Sequence, residues 1–244
     1  MRKRMILGAA MAFAFLLPYS AFAQNSPPTP VKVNTSDRFN IAGDYYPGSD
    51  GKPGVILSHM LNRNRSDWKS FAKVLQALGY HVLAIDLRGH GESLFNEKPV
   101  PWRKLSKNSF ARVSNDVTAA AAWLRKQKGV DQNRIALVGA SVGANASLVA
   151  ASLKNSGIKT AVLLSPGINF RGVKTDEAIK AYGGPVLIVV SEADKYSAES
   201  STYLAEHSKT STLKIYKGKS HGTMILLERE DLSGIIIDWL KEKL

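Results

Sequence analysis

A three-layer α/β fold, with a mostly parallel central sheet and helices on both faces, is what this sequence predicts. Three observations predict it. Short apolar runs rich in β-branched residues recur along the chain, helical patterns lie between them, and the runs are nearly continuous in their apolarity rather than strictly alternating. Continuous runs suit strands covered on both faces, and strands alternating with helices imply crossover connections and parallel pairing.

Taken in order, strands are expected at Gly54–Ser58 ("GVILS"), Tyr80–Asp86 ("YHVLAID"), Arg134–Val138 ("RIALV"), Thr160–Leu164 ("TAVLL"), Pro185–Val190 ("PVLIVV") and Thr212–Tyr216 ("TLKIY"). Between the first two, Ser66 is placed to cap a helix running to about Leu78, with Trp68, Phe71, Leu75 and Leu78 at helical spacing and Gly79 as its stop. A second helix spans Val113–Lys128 on Val117, Ala121 and Leu124, and a last one uses Ile235, Ile236, Trp239 and Leu240. Ligands of such sheets sit beyond the carboxyl ends of the strands, so the loops after the apolar runs are where chemistry is to be sought.

The ends and the charge set further bounds. Arg2-Lys3-Arg4, an apolar stretch from Met5 to Leu17, and the triplet Ala21-Phe22-Ala23 read as a secretory signal peptide over residues 1–23, cleaved after Ala23. The rival is a membrane anchor, but a span needs roughly 20 apolar residues and Pro18, Tyr19 and Ser20 interrupt this one. No stable membrane insertion is therefore expected after cleavage, and a periplasmic or secreted location is. Residues 24–30 ("QNSPPTP") read as a flexible leader and residues 31–244 as a single domain. The chain has no cysteine, so neither disulfides nor lipid attachment at the cleavage point is available. Its formal net charge of +13 becomes +10 once the three basic residues of the leader are gone. That charge is scattered in groups such as Arg63/Arg65, Arg103/Lys104/Lys107 and Lys214/Lys217/Lys219, and no nucleic-acid motif accompanies it. No nucleic-acid partner is expected.

The chemistry centres on "RIALVGASVGANASLVAAS", a strand, then Gly139-Ala140-Ser141-Val142-Gly143, then a helix of small residues. A serine between strand and helix needs a tight, strained turn, and a glycine two residues to either side permits close backbone approach. Such a turn exposes Oγ and points the Val142 N–H, at a helix N-terminus, toward developing negative charge. A serine hydroxyl alone is a poor nucleophile, so a base and an orienting acid must accompany it. "VLIVVSEADKYS" leaves one strand and delivers Asp194; "LKIYKGKSHGTM" leaves the last and delivers His221. Glu192, on the same loop as Asp194, is the alternative acid. His59, His81, His90 and His207 are expected to be structural. The order Ser141, Asp194, His221 is the chain order of a nucleophile elbow on an α/β sheet.

These motifs resemble the α/β-hydrolase superfamily over essentially the whole mature chain. "DLRGHGES" at Asp86–Ser93 is similar to a turn many of its members carry after their fourth strand. "GVDQNRIALVGASVGA" looks like the approach to the elbow in the dienelactone-hydrolase and prolyl-oligopeptidase-like branches. The resemblance implies the α/β-hydrolase fold with a minimal cap and a serine hydrolase requiring no cofactor and no metal. Two departures stand out. Dienelactone hydrolases use a cysteine nucleophile, which this chain lacks, and the usual His-Gly-x oxyanion loop here reads His59-Met60-Leu61. By register Leu61 supplies the second oxyanion N–H beside Val142, with Met60 as the alternative donor or a wall of the acyl pocket.

For substrate, the connection "SPGINFRGVKTDEAIKAYGG" at 165–184 has room for little more than one helix, where larger members insert a cap. An open site taking a small-molecule ester of short or medium acyl chain is expected. The insert Leu94–Asn108 is the other candidate rim, with Trp102 and Phe95 as apolar contacts and Arg103, Lys104 and Lys107 for anions; the plainer alternative is an exposed loop with one packed tryptophan. A peptidase or amidase, and a binding protein on a hydrolase scaffold, are the rival functions.

Overall fold

The computed structural model describes residues 26–244, so the expected signal peptide at 1–23 lies outside the described residues. The first two strands, β1 (Thr29–Asn34) and β2 (Phe39–Tyr46), form an antiparallel hairpin. Thr29 and Pro30 pair with Tyr45 and Asp44, which corrects the expected leader boundary at residue 30. Proline is tolerated there because β1 pairs with β2 alone, and an edge strand needs no N–H on its outer side. β3 (Lys52–Ser58) follows, then a 3-10 turn at Arg65–Trp68 and α1 (Lys69–Ala77). Asn64 rather than Ser66 caps that turn, its Oδ1 accepting the Ser66 N–H at 2.9 Å.

After β4 (His81–Ile85) the chain forms a small hairpin, β5 (Leu94–Phe95) and β6 (Lys98–Pro99), then α2 (Lys107–Ala111) and α3 (Ser114–Arg125). β7 (Val130–Ala140) leads through Ser141 into α4 (Val142–Ser152). β8 (Ile158–Leu164) is followed by a second small hairpin, β9 (Asn169–Phe170) and β10 (Val173–Lys174), and by α5 (Asp176–Ala181). The last units are β11 (Val186–Ser191), α6 (Lys195–Glu206), β12 (Ser211–Tyr216), α7 (Met224–Glu228) and α8 (Glu230–Lys243).

Among the described residues the large sheet runs β12-β11-β8-β7-β3-β4-β2-β5-β6, with β1 beside β2. The six strands expected from the apolar runs are its parallel part. β2 joins antiparallel to β4 and β5, so the insert at 94–108 begins as sheet rather than free loop. Alternate residues of each strand face opposite layers. Ile56, Leu83, Ile85 and Leu137 pack under α3, α4 and α5, whereas Val55, Leu57, Val82 and Val138 pack under α1 and α8. Each fully buried side chain of this kind contributes about 1.5–3 kcal/mol of apolar burial. In α8 the buried positions are Leu232, Ile236 and Leu240, a strict four-residue spacing that presents one stripe to the sheet. Among the described residues no helix is long and apolar enough to cross a membrane.

Residues 86–93 brace the layer edge. The fully buried Arg88 donates from Nη2 to Asp116 at 2.7 Å, from Nη1 to Asp37 at 2.8 Å and to the Ser109 carbonyl at 2.9 Å, and its guanidinium lies 4.3 Å from the Phe39 ring centroid. Burial pushes the Asp116 carboxyl up to about 6, against the pull of Arg88. Removing the cation alone strands a buried carboxylate. Arg88→Met is therefore expected to cost about 3–5 kcal/mol in urea unfolding, and adding Asp116→Leu to recover most of that loss; equal stability of the two variants contradicts this account.

Candidate functional site

Ser141 stands between the end of β7 and the first residue of α4 with φ 53° and ψ −118°, a region L-residues avoid. The turn exists because the helix start and two strand ends come into near backbone contact. A Cβ on Gly139 would lie 2.3 Å from the Gly143 carbonyl oxygen, and one on Gly143 would lie 2.5 Å from that of Ser58. Both glycines are thus sterically required. The Ser141 N–H donates to the Leu164 carbonyl at 2.8 Å and its carbonyl accepts from Asn145 at 3.0 Å, so the strained residue is held from β8 and from α4. The hydroxyl itself makes no hydrogen bond among the described residues and opens onto a cleft of about 280 Å³.

The loop after β3 forms one wall, through Met60 and Leu61. His59 is fully buried, and burial lowers its pKa to about 4, leaving it neutral. Its Nε2 accepts the Leu87 N–H at 3.0 Å, so Nδ1 carries the proton and donates to the Met60 carbonyl at 2.7 Å. A trans peptide points its C=O and N–H in opposite directions. With the Met60 carbonyl held by His59, the Leu61 N–H is turned the other way. His90 accepts the Asn62 N–H at 3.3 Å, and Trp102 donates from Nε1 to the Asn62 Oδ1 at 2.9 Å, fixing the next residue of the loop.

Opposite, β11 ends at Ser191 and a short turn delivers Asp194 at the start of α6, while the loop after β12 delivers His221. His221 Nδ1 lies 2.6 Å from Asp194 Oδ2, with the carboxylate side chain 16% exposed and the imidazole 42%. Glu192 is exposed and takes no part in that contact. Ser141, Val142 and His221 line the same cleft, so the structure brings together the residues expected for nucleophile, base and acid. The remaining histidines sit in structural roles: His81 bonds to Tyr45 and the Ser49 carbonyl, and His207 to the Tyr203 carbonyl.

Trp102 does not line the cleft, contrary to expectation. It stacks on His90 with centroids 6.2 Å apart and carries Arg103 and Arg171 against its ring, because its N–H is drawn to Asn62 behind the β3 loop. Phe95 likewise packs on Phe39, at 4.9 Å between centroids, within the sheet extension. The cleft is lined instead by Phe170 and Tyr196, together with Ser165, Gly167 and Asn145. The Tyr196 hydroxyl accepts from the Asn169 N–H at 3.0 Å and donates to the Asn169 carbonyl at 2.9 Å, clamping the β9 hairpin to α6. Asn145 ties the same segment to α4, accepting the Gly167 N–H at 2.9 Å and donating to the Val173 carbonyl at 3.2 Å. Ser165 follows an apolar run, and Asn145 lies one helical turn after Ser141; those positions were the available signal for both. Among the described residues no cluster of three or more His, Cys, Asp or Glu is arranged to hold a metal ion.

Comparison with known proteins agrees with this fold. Residues 50–177 match the family model described as serine aminopeptidase, S33, a stretch that contains Ser141 and stops short of Asp194 and His221. An uncharacterized protein of Mycobacterium tuberculosis is 30% identical over 182 residues, covering 67% of this chain; the match spans only 61% of that relative's length. Among solved structures, an esterase of Pyrococcus furiosus superposes with TM-score 0.74 at 19% identity, over 88% of this chain and 92% of that one. A dienelactone hydrolase of Anabaena variabilis gives 0.72 at 21% identity, over 90% and 100%.

The buried histidine sets a pH dependence. An unfolded chain binds a proton on histidine near 6.5, whereas folded His59 does so only near 4, so stability is full above the first value and is lost as pH falls toward the second. The loss from this residue is expected to reach about 3 kcal/mol, with His90, also lowered by burial, acting in the same direction. Urea midpoints measured across that window should fall steeply for the native chain and less steeply for His59→Asn; parallel curves refute the assignment.

Proposed function

The chain belongs to the serine aminopeptidase S33 family of α/β hydrolases, and on that premise we propose that it hydrolyses carboxylic esters of small or medium acyl chain through Ser141, His221 and Asp194. The observation that carries this reading is the 2.6 Å contact of His221 Nδ1 with Asp194 in a cleft shared with the strained Ser141. As Ser141 Oγ attacks the acyl carbonyl, His221 Nε2 takes its proton, and Asp194 holds the imidazole in the tautomer that leaves Nε2 free to accept. The Val142 and Leu61 N–H groups receive the oxyanion, the second turned into position by the His59 bond to the Met60 carbonyl. His221 then returns the proton to the departing alcohol, and a water activated by the same imidazole hydrolyses the acyl-enzyme.

The cleft supports a modest substrate. Its volume of about 280 Å³ is at the lower end for ligand pockets, and the connection after β8 contains a hairpin and one short helix rather than a large cap. The order of basic, apolar and small residues before Ala23 supports export to the periplasm or medium. A peptidase reading is favoured by the description of the matching family, and the same triad chemistry serves it; release of an amine instead of an alcohol distinguishes the two.

Purified chain lacking residues 1–23 is expected to hydrolyse p-nitrophenyl acetate and butyrate faster than octanoate and palmitate. Ser141→Ala should reduce turnover by roughly 10⁴-fold or more. Faster release of p-nitroaniline from aminoacyl p-nitroanilides moves the assignment to peptidase, and failure of a folded chain to react with either class, or with a fluorophosphonate probe, overturns the catalytic reading. His221→Ala should abolish labelling of Ser141 by that probe, because the hydroxyl then lacks its base.

A further inference from the structure

Ser165 is the residue immediately after β8, and like Ser141 it is a non-glycine residue with positive φ, here 50°. Its side chain is buried, with 1% of the residue exposed, yet it borders the cleft. Its main chain is anchored by an N–H bond of 2.8 Å to the Val189 carbonyl, and the carbonyl just before it, Leu164, receives the Ser141 N–H. One rigid strand end therefore holds both serines. The side chain of Ser165 then reaches across to the histidine loop, where Oγ accepts the buried Gly222 N–H at 3.0 Å.

Gly222 directly follows His221. Its φ is 58°, and a Cβ there would lie 2.8 Å from Met60 Sδ and 3.3 Å from Ala140 Cβ, so the loop runs tight against the elbow strand and the β3 loop. Thr223 is tied to the other side, donating from Oγ1 to Asp67 Oδ2 at 2.9 Å. The histidine loop is thus gripped on both sides of its turn, and on the elbow side the grip is a single side-chain hydroxyl. The peptide that receives it is the one joining His221 to Gly222, one bond from the imidazole-bearing Cα.

We propose that Ser165 is a positioning residue: by accepting the Gly222 N–H it sets where the His221 imidazole stands relative to Ser141. This rests on the triad reading above. It also accounts for the unfavourable backbone conformation at Ser165, which aims Oγ across the sheet end at the Gly222 amide. Without the hydroxyl, the buried N–H loses its acceptor and the loop must shift to find another. Small displacements of a proton-transfer group are expensive in rate, about 100-fold for an error near 1 Å.

Two variants test the idea. Ser165→Ala removes the hydroxyl and keeps the Cβ; Ser165→Gly removes it and is at ease at positive φ, so it remains foldable if the alanine chain does not. Both are expected to lower kcat by about 10- to 100-fold on p-nitrophenyl butyrate, with KM within about twofold, since the buried Ser165 hydroxyl is turned to the Gly222 amide and acts through His221. The native chain is expected to show a downfield proton resonance from His221 Nδ1 bonded to Asp194, and in both variants it should broaden or vanish by solvent exchange. Native kcat in either folded variant, a loss confined to KM, or an unchanged resonance overturns the proposal. If the native chain proves inert toward every ester and amide, the catalytic reading has failed; the resonance still decides whether Ser165 orders His221.

Discussion

The constraint on which the rest of this molecule depends is the near contact of the α4 N-terminus with the ends of β3 and β7. Gly139 and Gly143 permit it, since neither position has room for a Cβ. Ser58 strengthens it from the strand side, donating from Oγ to the Gly143 carbonyl at 3.1 Å and bonding to Ser147 Oγ at 3.0 Å. With the helix start pressed onto the sheet, the intervening serine must take up a strained conformation, and its hydroxyl is carried out over the strand ends. The strain at Ser141 is sustained by the packing of a whole layer: α4 is buried along nearly its full length, so relaxing one residue would mean moving the helix.

A second set of contacts makes the loop beyond β3 as rigid as the elbow. His59, His90 and Trp102 form a row of rings, His59 edge-on to His90 with centroids 5.0 Å apart and His90 stacked on Trp102 at 6.2 Å. Each contributes one directional bond to the loop, to the Met60 carbonyl, to the Asn62 N–H and to the Asn62 side chain. Neutral imidazoles suit the task because one nitrogen donates while the other accepts, and burial disfavours the charged form of both rings. The motif around residues 86–93 is thus a brace. Arg88 ties it to α3 and to the β1–β2 turn, and Ser93 Oγ donates to the Asp86 carbonyl at 2.6 Å while accepting the Ala42 N–H at 3.0 Å. His90 within it and His59 beside it hold the loop that borders the cleft.

On the other side of the cleft, the walls are short segments clamped by single side chains. Tyr196 and Asn145 hold the segment from Gly167 to Val173 against α6 and α4. Such clamps allow a pocket wall to be built from a two-strand hairpin of minimal length, without the burial that a larger cap would need. Several basic residues pack over aromatic rings, as Arg171 of this segment over Trp102 and Phe110, Arg103 over Trp102 and Lys243 over Trp239.

What the sequence by itself determined is whatever depends on local pattern. The six parallel strands follow from continuous apolar runs, α1, α3 and α8 from apolar residues at helical spacing, and the elbow from two glycines flanking a serine at a strand-to-helix junction. The order Ser141, Asp194, His221 was likewise legible, because each follows an apolar run and strand ends converge on one edge of a parallel sheet. Tertiary structure alone decided the rest. The pairing of β1 with β2 begins inside a proline-containing stretch whose local signal is that of a leader. The choice of Asp194 over Glu192 turns on how a three-residue turn meets His221, a distance no spacing rule encodes. Trp102 looked like a cleft contact and proved to be a support, since its indole N–H found Asn62, forty residues earlier in the chain. Ser165 resembled any strand-end serine until the fold set the Gly222 amide against it. Pairings of that kind require atoms far apart in the chain to be placed within a few tenths of an ångström of hydrogen-bond distance, and that placement emerges only when the layers have packed.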